Sequence, residues 1–186
     1  MGKQYAAIDD TLRAFIEAQH VFFVATAPAG AAGHVNLSPK GLDTFRILGP
    51  TTVAYLDFVG SGAETIAHLR ENGRLVVMLC AFDGPPKIVR LYGRGTVVEP
   101  ADAEFAALRD RFPPARGVRS VIRAELDRIT DSCGYGVPRY RYDGARTQID
   151  EWAVRKGDDG VHAYQREHNV RSIDGLPALR WPTDGE

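Results

Sequence analysis

Residues 51–82 read TTVAYLDFVGSGAETIAHLRENGRLVVMLCAF, and their order decides the fold. Thr51 to Asp57 is rich in β-branched and aromatic residues, the composition of a strand. GSGAETIAHLRENG (60–73) leads through a loop into a short helix. Ser61 and Glu64 have the spacing of a capping box. Gly73 stands where a helix ends on a left-handed glycine. Leu75 to Phe82 is almost continuously apolar, as in a strand buried on both faces.

Working outward, VFFVATA (21–27) is predicted as a strand, Pro28 to Gly33 as a turn, and HVNLS (34–38) as the returning strand. Asp9 or Asp10 can cap an earlier helix with Leu12, Phe15 and Ile16 on one face. Beyond Phe82, DGPP is a turn and KIVRLYGRGTVV (87–98) a long strand, with Gly93 and Gly95 placing a bulge or bend in it. A helix appears only once among these strands, which excludes the alternating rhythm of a doubly wound sheet and predicts a small antiparallel barrel.

The second half changes character. EPADAEFAALRDRF (99–112) opens with acidic residues and reads as a helix. GVRSVIRAELDRI (117–129) carries Val118, Val121, Ile122 and Leu126 at helical spacing and reads as another. DSCGYGVPRYRYDGAR (131–146) is a loop, followed by helical stretches at 147–156 and 159–167. The tail from Arg171, with Pro177 and Pro182, is expected to be extended. These elements suggest one domain over 1–186: a barrel core of about 9–98 plus a later strand, with 101–186 as a helical wrapper.

Charge narrows the partners. With 23 basic and 24 acidic side chains the formal net charge is −1, so no global field draws the chain to nucleic acid or an anionic membrane. An anion would need a local site. No apolar run spans a bilayer, and MGKQYAAIDD has no apolar leader segment, so a cytoplasmic location is expected. Cys80 in an apolar run and Cys133 in a glycine-rich loop are expected as free thiols.

Four segments could carry chemistry. HVNLSPKG (34–41) brings amides, a hydroxyl and Lys40 to a strand end, as a phosphate or ring edge requires, or as a plain solvated hairpin end. GSGAET (60–65) offers Ser61, Thr65 and the amides of a helix N-terminus, or a simple cap. Arg90 and Arg94 share a strand face and could clamp a phosphate or pair with carboxylates. DSCGYGVPRY (131–140) gathers Asp, Ser, Cys and Tyr, although a structural loop that packs its tyrosines accounts for them better. The five histidines are scattered without metal-ligand spacing. Nucleophile-elbow, Walker and dinucleotide signatures are missing.

Taken in order, the segments VFFVATA, HVNLSPKG, TTVAYLD, GSGAETIAHLRENGR, LVVMLCAF and KIVRLYGRGTVVEP resemble the pyridoxamine 5'-phosphate oxidase-like FMN-binding split barrels over about Asp9 to Val98. DSCGYGVP and RSIDGLPAL look like one bacterial subgroup of them. The resemblance implies a mainly β fold: a six-stranded antiparallel split barrel, homodimeric, with FMN at the subunit interface. It places cofactor contacts on Asn36, Leu37, Ser38 and Lys40, and on Leu56, Asp57, Ser61 and Gly62. Lys40, Ser61 and Thr65 would meet the phosphate, with Arg74 or Arg90 adding charge. Cys133 and Tyr135 would line a substrate pocket.

The chain also departs from the true oxidase. Gly62 and Ala63 stand where the oxidase has a basic pair, Ile88 where it has a glutamine, and its C-terminal arginine segment has no match. Vitamin B6 oxidation is therefore not implied. The expectation is an FMN-dependent oxidoreductase acting on another small molecule. The alternatives are a non-catalytic flavin- or haem-binding protein and a deazaflavin-dependent reductase.

Overall fold

The computed structural model describes residues 2–181; Pro182, expected in the extended tail, lies outside them. In chain order the elements are β1 (Gln4–Tyr5), α1 (Asp10–Glu17), β2 (Phe22–Thr26), β3 (Asn36–Lys40), β4 (Phe45–Ile47) and β5 (Thr52–Phe58). Then come α2 (Glu64–Asn72), β6 (Arg74–Cys80), β7 (Ile88–Val98), α3 (Phe105–Arg109), β8 (Val118–Ser132) and α4 (Gln148–His168).

The eight strands form one sheet in the order β3-β2-β6-β7-β8-β5-β4, with β1 added on β8. Its ladders are antiparallel. β3 and β4 end this path, so the curved sheet is an open half-barrel. The count is eight strands rather than the expected six. The additions are β1 and β4, two and three residues long, too short to show a period in sequence.

The larger correction is β8. Of Gly117 to Ile129, expected as a helix, all but Gly117 lies in a strand that pairs with both β5 and β7. Residues 119–122 are buried on both faces, which hides the inward–outward alternation of a strand. Ile122 and Ala124 face the inner core with Tyr55, Val77 and Leu91. Val121 faces a second cluster with Leu56 and Phe112 on the outer side. The helix expected over 99–112 shrinks to the five residues of α3, whose Phe105 and Leu108 pack on that outer cluster.

Other expectations hold. Asp9 caps α1 by accepting from Leu12 N–H at 2.8 Å, which turns Leu12 and Ile16 into the core. Gly73 ends α2 in the left-handed region, at φ 71°. The register of β7 on β8 slips between Tyr92 and Gly93, as the glycines foretold. Both cysteines are free thiols, Cys80 buried and Cys133 exposed.

After β8 the chain crosses a long exposed loop into α4, which breaks at Gly157 (φ 67°) between the two expected helical stretches. Ala153 and Val161 of α4 bury against Val59, and the tail returns Ala178 and Leu179 to the main core. Among the described residues no helix is long and apolar enough to cross a membrane.

Candidate functional site

One open end of the half-barrel forms a cleft of about 730 Å³. Its walls are β3 and the turn after it, the loop Gly60–Gly62 with the start of α2, and the end of β5. Because β3 ends the sheet, one backbone edge has no strand partner among the described residues. Pro39 suits that position, since it has no N–H to give a ladder. Side chains alternate along β3: Asn36, Ser38 and Lys40 pair across with Thr26, Val24 and Phe22 of the core face, while Leu37 points outward.

Beneath the cleft lies a charge cluster. The Asp57 carboxylate is fully buried. Lys40 Nζ donates to its Oδ1 at 3.0 Å, and Arg119 Nε to its Oδ2 at 2.7 Å. Arg119 also donates to the Gly62 carbonyl at 2.7 Å, tying β8 to the cleft loop. Burial alone would raise the pKa of Asp57. The charges of Arg119 and Lys40, with their hydrogen bonds, outweigh burial and hold it at about 2. Two cations face one carboxylate, so the cluster carries a net positive charge. The Lys40 ammonium has three N–H groups, only one of which meets Asp57.

A polar network runs from the cleft into the barrel. Ser38 Oγ donates to Asn36 Oδ1 at 3.0 Å, and Asn36 Nδ2 donates to Thr65 Oγ1 at 2.9 Å and Thr26 Oγ1 at 3.1 Å. Thr26 Oγ1 and His68 Nδ1 share a further bond at 3.0 Å. His68 is wholly buried and its Nε2 has no partner. Burial lowers its pKa, favouring the neutral ring. Asn36 is thereby fixed in orientation at the base of the unpaired edge.

The helix terminus differs from expectation. α2 begins at Glu64 with Ala63 as its N-cap, and no side chain caps it. Ser61 lies two residues ahead of the cap, too early to serve, and stays exposed in the cleft. Glu64 does not close a capping box; its Oε1 accepts the Ile173 N–H at 3.2 Å. The first amides of the helix are left without a side-chain acceptor, the condition in which a helix N-terminus attracts an anion.

The cleft is lined by eight of the sequence-derived candidates: Asn36, Leu37, Ser38, Lys40, Leu56, Ser61, Gly62 and Thr65. Asp57 is the buried anchor under it. Arg90 lies elsewhere, bound to Ser132 Oγ at 3.0 Å, and Arg74 is turned to Asn72 Oδ1. Arg94 is spent on the Asn72 carbonyl, so no arginine clamp forms on β7. Cys133 and Tyr135 do not line this cleft. Asp131, expected in that loop, lies at the end of β8, where it accepts from the Tyr5 hydroxyl at 2.6 Å and Lys3 N–H at 2.8 Å, pinning β1 to the sheet. Arg119 is not singled out by sequence, because the apolar spacing of its segment predicts a helix. The β-branched content of Val118, Val121, Ile122, Ile129 and Thr130 was the available signal.

The open sheet and the cleft at its end define an antiparallel split-barrel protein. The pattern of the pyridoxamine 5'-phosphate oxidase family matches residues 8–133. The chain is 38% identical over 194 residues to the pyridoxamine 5'-phosphate oxidase family protein ustO of Aspergillus flavus, covering 94% of this chain and 77% of that one. The chain therefore belongs to the pyridoxamine 5'-phosphate oxidase family. Solved structures share the fold at low identity. A variant of HupZ from Group A Streptococcus superposes with a TM-score of 0.53 at 19% identity, over 67% of this chain and 99% of its own. An FAD-binding protein from Mesorhizobium loti gives 0.50 at 15% identity, over 70% and 96%.

Proposed function

We propose that the cleft binds FMN and that the chain is a flavin-dependent oxidoreductase acting as a cytoplasmic homodimer. The carrying observation is the meeting, in one cleft, of an unpaired strand edge, an uncapped helix N-terminus and the two cations Lys40 and Arg119. Family membership supports a flavin.

The residues fit such a group. A volume of about 730 Å³ suits a nucleotide cofactor. A side chain added at Gly60 would meet nothing within 4 Å, whereas one at Gly62 would run into the Glu64 carboxylate, so the open space for a ligand lies beside Gly60. The backbone of Asn36 to Ser38 would lie along the ring, held straight by the Asn36–Thr65 bond. Ser61 and the first amides of α2 would take the phosphate, with Lys40 and Arg119 supplying charge. When bound, the isoalloxazine supplies hydride or electron transfer. The chain binds and orients it, and Leu56 and Phe58 exclude water from that wall.

The dimer draws support from the outer sheet face. Val35 and Leu37 are 74% and 63% exposed, and Leu37 pairs across with Ala25 of β2, itself only half-buried. A second copy of the chain seated on these two side chains would remove their apolar surface from water. Light scattering at micromolar concentration is expected to give twice the chain mass.

Ser61→Asp tests the phosphate placement. Ser61 is exposed and bonds nothing, so the fold is expected to survive while FMN affinity falls at least about tenfold by charge repulsion. Unchanged affinity would refute the placement. A second reading rests on a specific observation: the ionisable side chains lining the cleft are engaged within the protein. Lys40 and Arg119 hold Asp57, His34 meets Asp174, and Glu64 meets Ile173 N–H. That favours a non-catalytic flavin- or haem-binding protein, and steady oxidation of a nicotinamide donor by the loaded protein would exclude it.

A further inference from the structure

The family pattern ends at residue 133, and the solved neighbours leave about a third of this chain uncovered while spanning nearly all of their own. The C-terminal part is thus an addition to the shared barrel. Two of its residues line the cleft: Ile149 in the first turn of α4, and Ile173 in the tail.

Ile173 is 72% exposed, yet the turn carrying it is fixed. Ser172 N–H donates to the Leu176 carbonyl and Gly175 N–H to the Ser172 carbonyl, each at 2.9 Å, and Gly175 takes the left-handed φ of 77° that the turn needs. Those bonds already close the turn. Two more ties reach outward to the cleft walls. Asp174 accepts the His34 N–H at 2.8 Å and faces His34 Nδ1 at 2.6 Å, just ahead of β3. Glu64, the first residue of α2, accepts the Ile173 N–H at 3.2 Å. The tail beyond is anchored by Arg70 Nε donating to the Ala178 carbonyl at 2.5 Å and by buried Leu179.

The turn therefore bridges both walls and holds a large apolar side chain in solvent at the mouth. Core packing does not explain Ile173, and turn closure does not need the outward ties. An apolar side chain held at a cleft mouth by a fixed turn is the arrangement of a ligand contact.

We infer that Ile173 is a specificity-determining wall of the cleft, held by the His34–Asp174 and Glu64–Ile173 ties, and that it receives an uncharged apolar part of the substrate. This rests on the cofactor assignment above. The neighbouring carboxylates are already engaged, Glu64 by Ile173 N–H and Asp174 by His34, and Leu42 adds to the apolar rim.

The test uses full-length FMN-loaded protein and Nile red, an uncharged planar dye, followed by its own fluorescence. FMN content is measured in the same samples. Ile173→Ala is expected to weaken dye binding about tenfold with FMN affinity unchanged. Asp174→Ala, which keeps the isoleucine and frees the turn, is expected to give a similar loss. Unchanged dye affinity in both variants with normal FMN content overturns this inference alone, as does failure of the loaded wild type to bind the dye. Failure of the wild type to take up FMN overturns the cofactor reading and this inference with it.

Discussion

Arg119 donates to Asp57 at 2.7 Å where neither side chain is open to water. A strand near the middle of the sheet thus meets the strand that floors the cleft, and the same guanidinium holds the Gly62 carbonyl of the cleft loop. The pair sets both the charge of the site and the shape of its wall. A buried ion pair is weak grounds for net stability, since desolvation offsets much of the attraction, but breaking one side is costly.

Arg119→Met would leave a buried carboxylate with Lys40 as its single counter-charge. A loss of about 3–5 kcal/mol is expected by urea unfolding. Adding Asp57→Asn should recover part of it, because the uncompensated charge is gone. A single variant as stable as the wild type would contradict the arrangement.

Acid sensitivity follows from Asp57. Burial pushes its pKa up, the charges of Arg119 and Lys40 push it down, and the balance falls from 3.8 to about 2. A carboxylate held below its unfolded value stabilises the fold fully above about pH 4, and that contribution, roughly 2 kcal/mol, is lost as pH falls through about 2. Urea midpoints at descending pH should fall less steeply for Asp57→Asn than for the wild type over that window. Parallel curves would show that Asp57 is not the responsible group.

Gly93 tests the bulge. A Cβ there would meet the Glu125 carbonyl oxygen at 2.1 Å and the Leu126 Cα at 2.9 Å, all backbone of the paired strand, where the register slips. Gly93→Ala is expected to cost at least about 2 kcal/mol. Gly95→Ala meets side chains of Leu75 and Leu69, which can shift, and should cost less. Gly136→Ala meets nothing and serves as the neutral control. Thermal melts that do not follow this order would contradict the register.

Much of the barrel was legible because its signals are local. Asp9 and Gly73 mark helix ends, the apolar run after Gly73 marks a buried strand, and Gly93 marks the bulge. β8 was not legible, because residues 119–122, covered on both faces, lose the period of two and four apolar residues of the strand fall at helical spacing, which outweighs the short alternation of Ala124, Glu125, Leu126 and Asp127. The site was half legible. Lys40, Ser38 and Ser61 stand in segments whose composition points to an anion or a ring. Arg119 and Ile173 reach the cleft only through tertiary placement, one across the sheet and one from the tail, and neither stands in a motif that points to a site. The box of Ser61 and Glu64 misled because correct spacing does not fix where a helix starts.

The most direct test of the flavin assignment is the visible spectrum of freshly purified protein, with the chromophore released by acid and identified by chromatography. A flavin spectrum with FMN as the released compound is the expected result. A colourless protein that also fails to take up added FMN would contradict it.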